Sequence, residues 1–235
     1  MLKVLGRIAF KLFKTEIRFK GNWRKDNKWL LDYNFKTIID IGANEGQFAS
    51  KVRMFFPAAH IISFEPIPAV YQKLINNFNA DANFKAFPYG LGDDNAVVEF
   101  YENESSASSS LLKMKEHTVH FNKATHTTPI TINIRKLDEV LQNEDIKGPL
   151  LVKIDVQGFE DKVILGGENI LSKADMILCE VSFTQLYEGQ KLFNDIYNML
   201  NSIGFMYAGN YEQLYSPANN AVLQADAIFI KKSNN

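Results

Sequence analysis

The stretch Thr37-Ile38-Ile39-Asp40-Ile41-Gly42-Ala43-Asn44-Glu45-Gly46 decides the fold. A β-branched apolar run ending at glycine reads as a strand buried on both faces that passes into a tight turn. A helix is expected next, from about Gln47 to Phe55, stopped before Pro57. The strand His60-Ile61-Ile62-Ser63-Phe64-Glu65 follows, and Pro68 then opens a helix to about Asn79. Strands alternating with helices imply crossover connections. The expected fold is α/β: a Rossmann-like, doubly wound, mostly parallel sheet with helices on both faces.

The pattern continues outward from this unit. Strands are expected near Asn83–Phe87, at Val97–Tyr101 and Ile130–Ile134, at Leu150–Val156 and at Met176–Val181, the last preceded by a helix over Glu160–Leu171. A helix near Leu192–Ile203 and the strand Asp226–Ile230 close the chain. The polar run Asn103–Ser110 and the stretch to Pro129, which holds His117, His120 and His126, read as a loop or lid. No repeat or linker divides the rest, and 235 residues suit one core.

At 46% apolar and 23% charged residues the chain is too apolar to be disordered. Its single cysteine, Cys179, lies in the apolar run Met176–Cys179, so it is expected as a buried thiol with no intrachain disulfide. No stretch approaches the roughly 20 apolar residues of a membrane span. The N-terminus breaks its apolar residues with a base every three or four positions, which argues against a secretory signal. A cytoplasmic location, possible peripheral membrane contact included, is expected.

Residues 1–36 carry ten Lys/Arg against three Asp/Glu, a charge of +7 that leaves −8 for the rest. On a helical projection Leu2, Leu5, Ile8, Leu12 and Phe13 oppose Lys3, Arg7, Lys11 and Lys14. The reading is a basic helical extension, 1–36, ahead of a domain at 37–235. Residues 1–14 would dock on an anionic membrane or a partner, or else pack on the protein's own sheet.

The chemistry gathers at two strand ends. At the first, a glycine turn lets backbone approach a ligand and aims helix N–H groups into the crevice. Asn44 replaces a glycine there, and asparagine tolerates a left-handed turn. Glu65 ends the next strand 25 residues after Asp40, where a carboxylate suits the two hydroxyls of a ribose. Asp40 would be unfavourable beside a pyrophosphate but would suit a methionyl amino group, which favours S-adenosylmethionine over a nicotinamide cofactor. At the second, Asp155 and Glu180 end consecutive strands and converge on one crevice. Lys153, two residues before Asp155 on a buried strand, reads as a paired structural lysine.

Asp40–Gly46, Phe64-Glu65-Pro66, Gly90-Leu91-Gly92-Asp93, Ser108–Leu112 and above all Lys153-Ile154-Asp155-Val156-Gln157-Gly158-Phe159-Glu160 resemble the FkbM-type methyltransferases, over about residues 37–205. The resemblance implies a class I methyltransferase fold, S-adenosylmethionine as methyl donor and O-methylation of a hydroxyl on a sugar, a glycan or a small natural product. It implies that Gly42, Asn44, Gly46 and Glu65 hold methionine and ribose, with Leu91, Gly92 and Asp93 near adenine.

For the transfer itself Asp155 is the expected base. Glu180 would orient the acceptor; no metal site is expected, although a divalent ion shared with Asp155 is an alternative, as are the three loop histidines as base. Two other classes compete. A nucleic-acid methyltransferase would bind the same cofactor, but the acidic main domain and the missing Asn/Asp-Pro-Pro-aromatic run weigh against it. A non-catalytic binding module would not need Asp40, Glu65 and Asp155 together.

Overall fold

In a computed structural model the described residues are 28–103 and 127–232. The helix expected over 1–14, the serine-rich segment and the three histidines of the lid lie outside them. The chain divides into two units at Asn34–Phe35. Of the first, a 3-10 helix at Lys28–Tyr33 is described, with the rings of Trp29 and Tyr33 edge to face.

The second unit runs β1 Thr37–Ile41, α1 Gln47–Phe55, β2 His60–Phe64, α2 Pro68–Asn77, β3 Phe84–Phe87, β4 Gly90–Leu91, β5 Ala96–Asn103, β6 Thr127–Arg135, α3 Leu137–Val140, β7 Leu150–Ile154, α4 Glu160–Gly166, α5 Glu168–Leu171, β8 Met176–Ser182, α6 Phe193–Ser202, β9 Phe205–Tyr215 and β10 Val222–Lys231. The main sheet has the order β3-β2-β1-β7-β8-β10-β9, parallel except for β10, which runs antiparallel between β8 and β9.

β1 sits between β2 and β7, with Asp40 in register with Ser63 on one side and Lys153 on the other. Every residue of β1 is buried, as its apolar run requires. The period of two sorts its side chains: Ile39 and Ile41 join Val152, Ile154, Cys179 and the inner faces of α4, α5 and α6 in the main core. Asp40 and Lys153 therefore belong to the opposite face, where Lys153 stands 5.6 Å from the Phe48 ring of α1. The fully buried Cys179 meets the expectation of a buried thiol.

Three expectations need correction. Val97–Tyr101 is not a strand of the main sheet; as β5 it pairs antiparallel with β6, itself parallel to β4, in a separate three-stranded sheet. Val97 is 65% exposed while Ala96 and Val98 pack on Ile132, Ile134 and the start of α2. That alternation belongs to a sheet with one wet face. The helix expected over Glu160–Leu171 breaks at Gly167 into α4 and α5. A Cβ on Gly166 would lie 1.9 Å from the carbonyl of Gly92, so the helix ends where it touches that turn. β9, an edge strand interrupted by a glycine and rich in polar residues, was not anticipated.

Candidate active site

The carboxyl ends of β1, β2, β7 and β8 meet at one edge of the sheet. The turn after β1 is held by hydrogen bonds from Gly42 and Ala43 N–H to the carbonyl of Phe64. Gly42 (φ 79°), Asn44 (φ 51°) and Gly46 (φ 90°) all lie in the left-handed region, so the asparagine does what its tolerance of that conformation allows. Gly42 is required twice over: a Cβ there would sit 1.8 Å from the carbonyl oxygen of Asp155. This contact welds the β1 turn to the end of β7, where Asp155 N–H donates to the carbonyl of Ile41.

Glu65 braces this turn. Its Oε2 accepts from Asn44 N–H and its Oε1 from Ile67 N–H, each at 2.9 Å, and the residue is 5% exposed. Asp40 is wholly buried on the α1 face, and neither carboxyl oxygen has a hydrogen-bond partner among the described residues. Burial pushes its pKa up to about 6 against the opposing pull of Lys153, with the charge of Asp155 adding to the rise.

At the end of β7 the Asp155 carboxylate, 28% exposed, pairs with the nearly buried Lys153 ammonium at 2.8 Å. Lys153 is thus the paired structural lysine expected. Burial alone would raise the Asp155 pKa, but Lys153 and the amide of Gln157 outweigh it and hold the carboxyl below its ordinary value. Burial likewise opposes the charge on Lys153, yet Asp155, Asp40 and Asp226 overcome it and raise its pKa.

Asp155 and Glu180 do converge, through an intermediary. The side-chain N–H₂ of Gln157 donates to Asp155 Oδ1 at 2.8 Å and to Glu180 Oε2 at 2.9 Å. The amide of Gln224 on β10 donates to the same Glu180 Oε2 at 3.0 Å. Burial, with Asp155, Glu160 and Asp226 nearby, lifts the Glu180 pKa well above the carboxylate range. Because Oε2 already receives two N–H donors, a proton held by Glu180 belongs on Oε1.

The loop after β7 is shaped by a second glutamate. Gln157 (φ 56°) and Gly158 (φ 100°) are left-handed, and the buried Glu160 carboxylate accepts N–H bonds from Val156 and Gly158 at 3.1–3.2 Å. Burial pushes the Glu160 pKa up to about 7 despite those donors.

Of the remaining sequence candidates, Leu91 is buried in the core and Asp93 pairs with Lys162 of α4 at 2.8 Å. A Cβ on Gly90 would stand 3.6 Å from that of Pro66, so the Gly90–Asp93 turn lies beside the end of β2 that carries Glu65. Sequence reasoning missed Gln157, Tyr187, Gln224 and Asp226. Gln157 lay inside the quoted motif and went unassigned; Gln224 and Asp226 reach the site only because β10 inserts against β8, placing Asp226 opposite Glu180. Burial raises Asp226 to about 6.

Comparison with known proteins agrees with this geometry. The model of the methyltransferase FkbM domain matches residues 40–207. The 2-O-methyltransferase NoeI of Sinorhizobium fredii is 29% identical over 180 residues, 74% of each chain. The hexuronic acid methyltransferase AglP of Haloferax volcanii is 24% identical over 145 residues, covering 61% of this chain and 55% of AglP. Among solved structures, methyltransferase FkbM from Methylobacillus flagellatus superposes with a TM-score of 0.53 at 14% identity, covering 84% of this chain and 44% of that one. This chain therefore spans less than half the length of that structure. Fibrillarin of Aeropyrum pernix, solved with natively bound S-adenosyl-L-methionine, gives a TM-score of 0.50 at 10% identity, covering 85% of this chain and 68% of its own. With the sheet order, both glycine turns and a family match over most of its length, the chain belongs to the FkbM family of S-adenosylmethionine-dependent methyltransferase domains.

Proposed function

We propose that this methyltransferase acts on a hydroxyl of a sugar or glycan, with Asp155 as the base. The observation that carries the reading is the state of Asp155: a partly exposed carboxylate, kept ionised by Lys153, at the end of the strand that abuts the Gly42 turn. The names of NoeI and AglP, a 2-O-methyltransferase and a hexuronic acid methyltransferase, support a sugar hydroxyl as acceptor.

The residues fit the cofactor. A carboxylate offers about four acceptor positions, so Glu65 can brace the turn and still suit a ribose diol. The two orphaned oxygens of Asp40 match an ammonium donor such as the methionyl amino group. Gly42, Asn44 and Gly46 would line the methionine and ribose, with Leu91, Gly92 and Asp93 toward adenine. S-adenosylmethionine supplies a methyl group on a positive sulfonium.

The chain's own residues then have separable tasks. Asp155 accepts the acceptor's hydroxyl proton as the new oxygen–carbon bond forms, and its ionised state means no prior deprotonation is needed at neutral pH. Glu180, protonated on Oε1, orients the acceptor oxygen. The test is a methyl-transfer assay on a panel of hydroxylated sugars and glycans, read as a gain of one methyl by mass, alongside calorimetry with S-adenosylmethionine. Methylated sugar is the expected product; cofactor binding with transfer to RNA instead would overturn the acceptor class.

A further inference from the structure

Tyr187 sits in the loop between β8 and α6, fully buried, and donates its hydroxyl to Gln157 Oε1 at 2.7 Å. Its place is built rather than incidental. The buried Gln190 accepts N–H bonds from Leu186 and Tyr187 on its Oε1, and its amide N–H₂ donates to Ser182 Oγ at the end of β8. A connected path thus runs from β8 through Gln190, Tyr187 and Gln157 to both carboxylates.

We infer that Tyr187 is a positioning residue: its hydroxyl fixes the Gln157 amide with the oxygen turned away from the site, so that both N–H bonds are committed to Asp155 and Glu180. An amide has one oxygen and one N–H₂, so engaging the oxygen from behind decides what the front presents. A rotated amide would set its oxygen against two carboxyl groups. The left-handed Gln157 backbone, held by Glu160, brings the side chain to this junction. Charged groups face the pair from every neighbouring element: Asp40 from β1, Lys153 from β7, Glu160 from α4 and Asp226 from β10.

The role rests on the reading of Asp155 as base, but its test does not need the acceptor. Carboxyl carbons of Asp155 and Glu180 are followed by NMR as pH is varied in the intact chain, in Y187F, in Q157L and in the double variant, with thermal unfolding checking each fold. Y187F should raise the Asp155 midpoint by about one pH unit through loss of N–H donation to the charged form. Q157L should raise it at least as far, and adding Y187F to Q157L should change nothing more. An Asp155 midpoint in Y187F equal to wild type, or additive shifts in the double variant, would overturn the inference. If Y187F does not fold, Tyr187→3-fluorotyrosine, whose hydroxyl is the stronger donor, should lower the Asp155 midpoint slightly, and no movement would count against the proposal. Turnover of Asp155→Asn judges the base separately: an active variant sinks that reading while the titrations still decide the tyrosine.

Discussion

The turns that follow β1 and β7 are built alike and present opposite things. Each places a non-glycine residue in the left-handed region, Asn44 in one and Gln157 in the other. Each is stapled by a buried glutamate that accepts two or more backbone N–H groups, Glu65 and Glu160 respectively. Yet the first hides its acid, Asp40, whose carboxyl oxygens have no hydrogen-bond partner among the described residues, whereas the second displays Asp155 with Lys153 and Gln157 attached. Asp40 and Lys153 are register neighbours, so one ammonium serves a buried carboxyl on β1 and an accessible one on β7. The difference teaches that a glycine turn of this kind is a frame, and that the adjacent strand residue decides what it presents: a wholly buried carboxyl after β1 and a partly exposed, ion-paired one after β7.

The hardest blow to the comparison falls where the two turns touch. Gly42→Ala forces a Cβ into the Asp155 carbonyl and demands φ 79° of an alanine, so it should cost more than about 3 kcal/mol in urea unfolding or prevent folding. Gly189→Ala, at φ 78° with nothing within 4 Å of the added Cβ, meets only the backbone strain and should cost about 1–3 kcal/mol. Equal costs would show that the contact between the turns is not what requires Gly42.

Chemistry separates them next. Asp155→Asn should bind S-adenosylmethionine as the wild type does while turnover falls at least ~100-fold, the low end for a general base. Glu65→Ala should do the reverse, weakening cofactor binding by roughly 1.5–3 kcal/mol in calorimetry, the range for hydrogen bonds to a charged group. It should also lower the unfolding midpoint, since Asn44 and Ile67 lose their shared acceptor. A Glu65→Ala variant with unchanged affinity would move the ribose elsewhere.

Much of this frame is legible in the residues. Ile38, Ile39 and Ile41, or Leu150 to Ile154, announce buried parallel strands because both faces of such strands are apolar, and a glycine at the end marks the turn. The family-like run from Lys153 to Glu160 marked the strand end where Asp155 and Glu180 meet through Gln157, and the Lys153 pairing followed from the cost of burying an ammonium. What stayed hidden depends on contacts distant in sequence. Gln224 meets Glu180 across an antiparallel pair 44 residues away, and Tyr187 meets Gln157 across 30. No periodicity encodes such a meeting. β9 escaped for a different reason: as an edge strand it buries little, so its residues need no apolar pattern.

The smallest predicted effect isolates Asp40. Its folded-state pKa, about 6, lies above the ordinary 3.8, so the stability it lends is complete below the ordinary value and drains away as pH rises through 6. Asp155 runs the other way: held below its ordinary value, it contributes above that value and loses the contribution as pH falls through its lower folded pKa. Between pH 5 and 8 the Asp40 loss is in play while Asp155 stays ionised, and the Asp40 shift corresponds to about 1 kcal/mol over that window. Glu160, raised to about 7, and Asp226, raised to about 6, drain stability across the same range, but they do so in wild type and in Asp40→Asn alike. The variant, which cannot ionise, should therefore lose about 1 kcal/mol less than wild type from pH 5 to pH 8 in urea unfolding. Parallel pH profiles for the two proteins would mean that Lys153 already stabilises the Asp40 carboxylate as well as water does, and that β1 and β7 share the ammonium evenly.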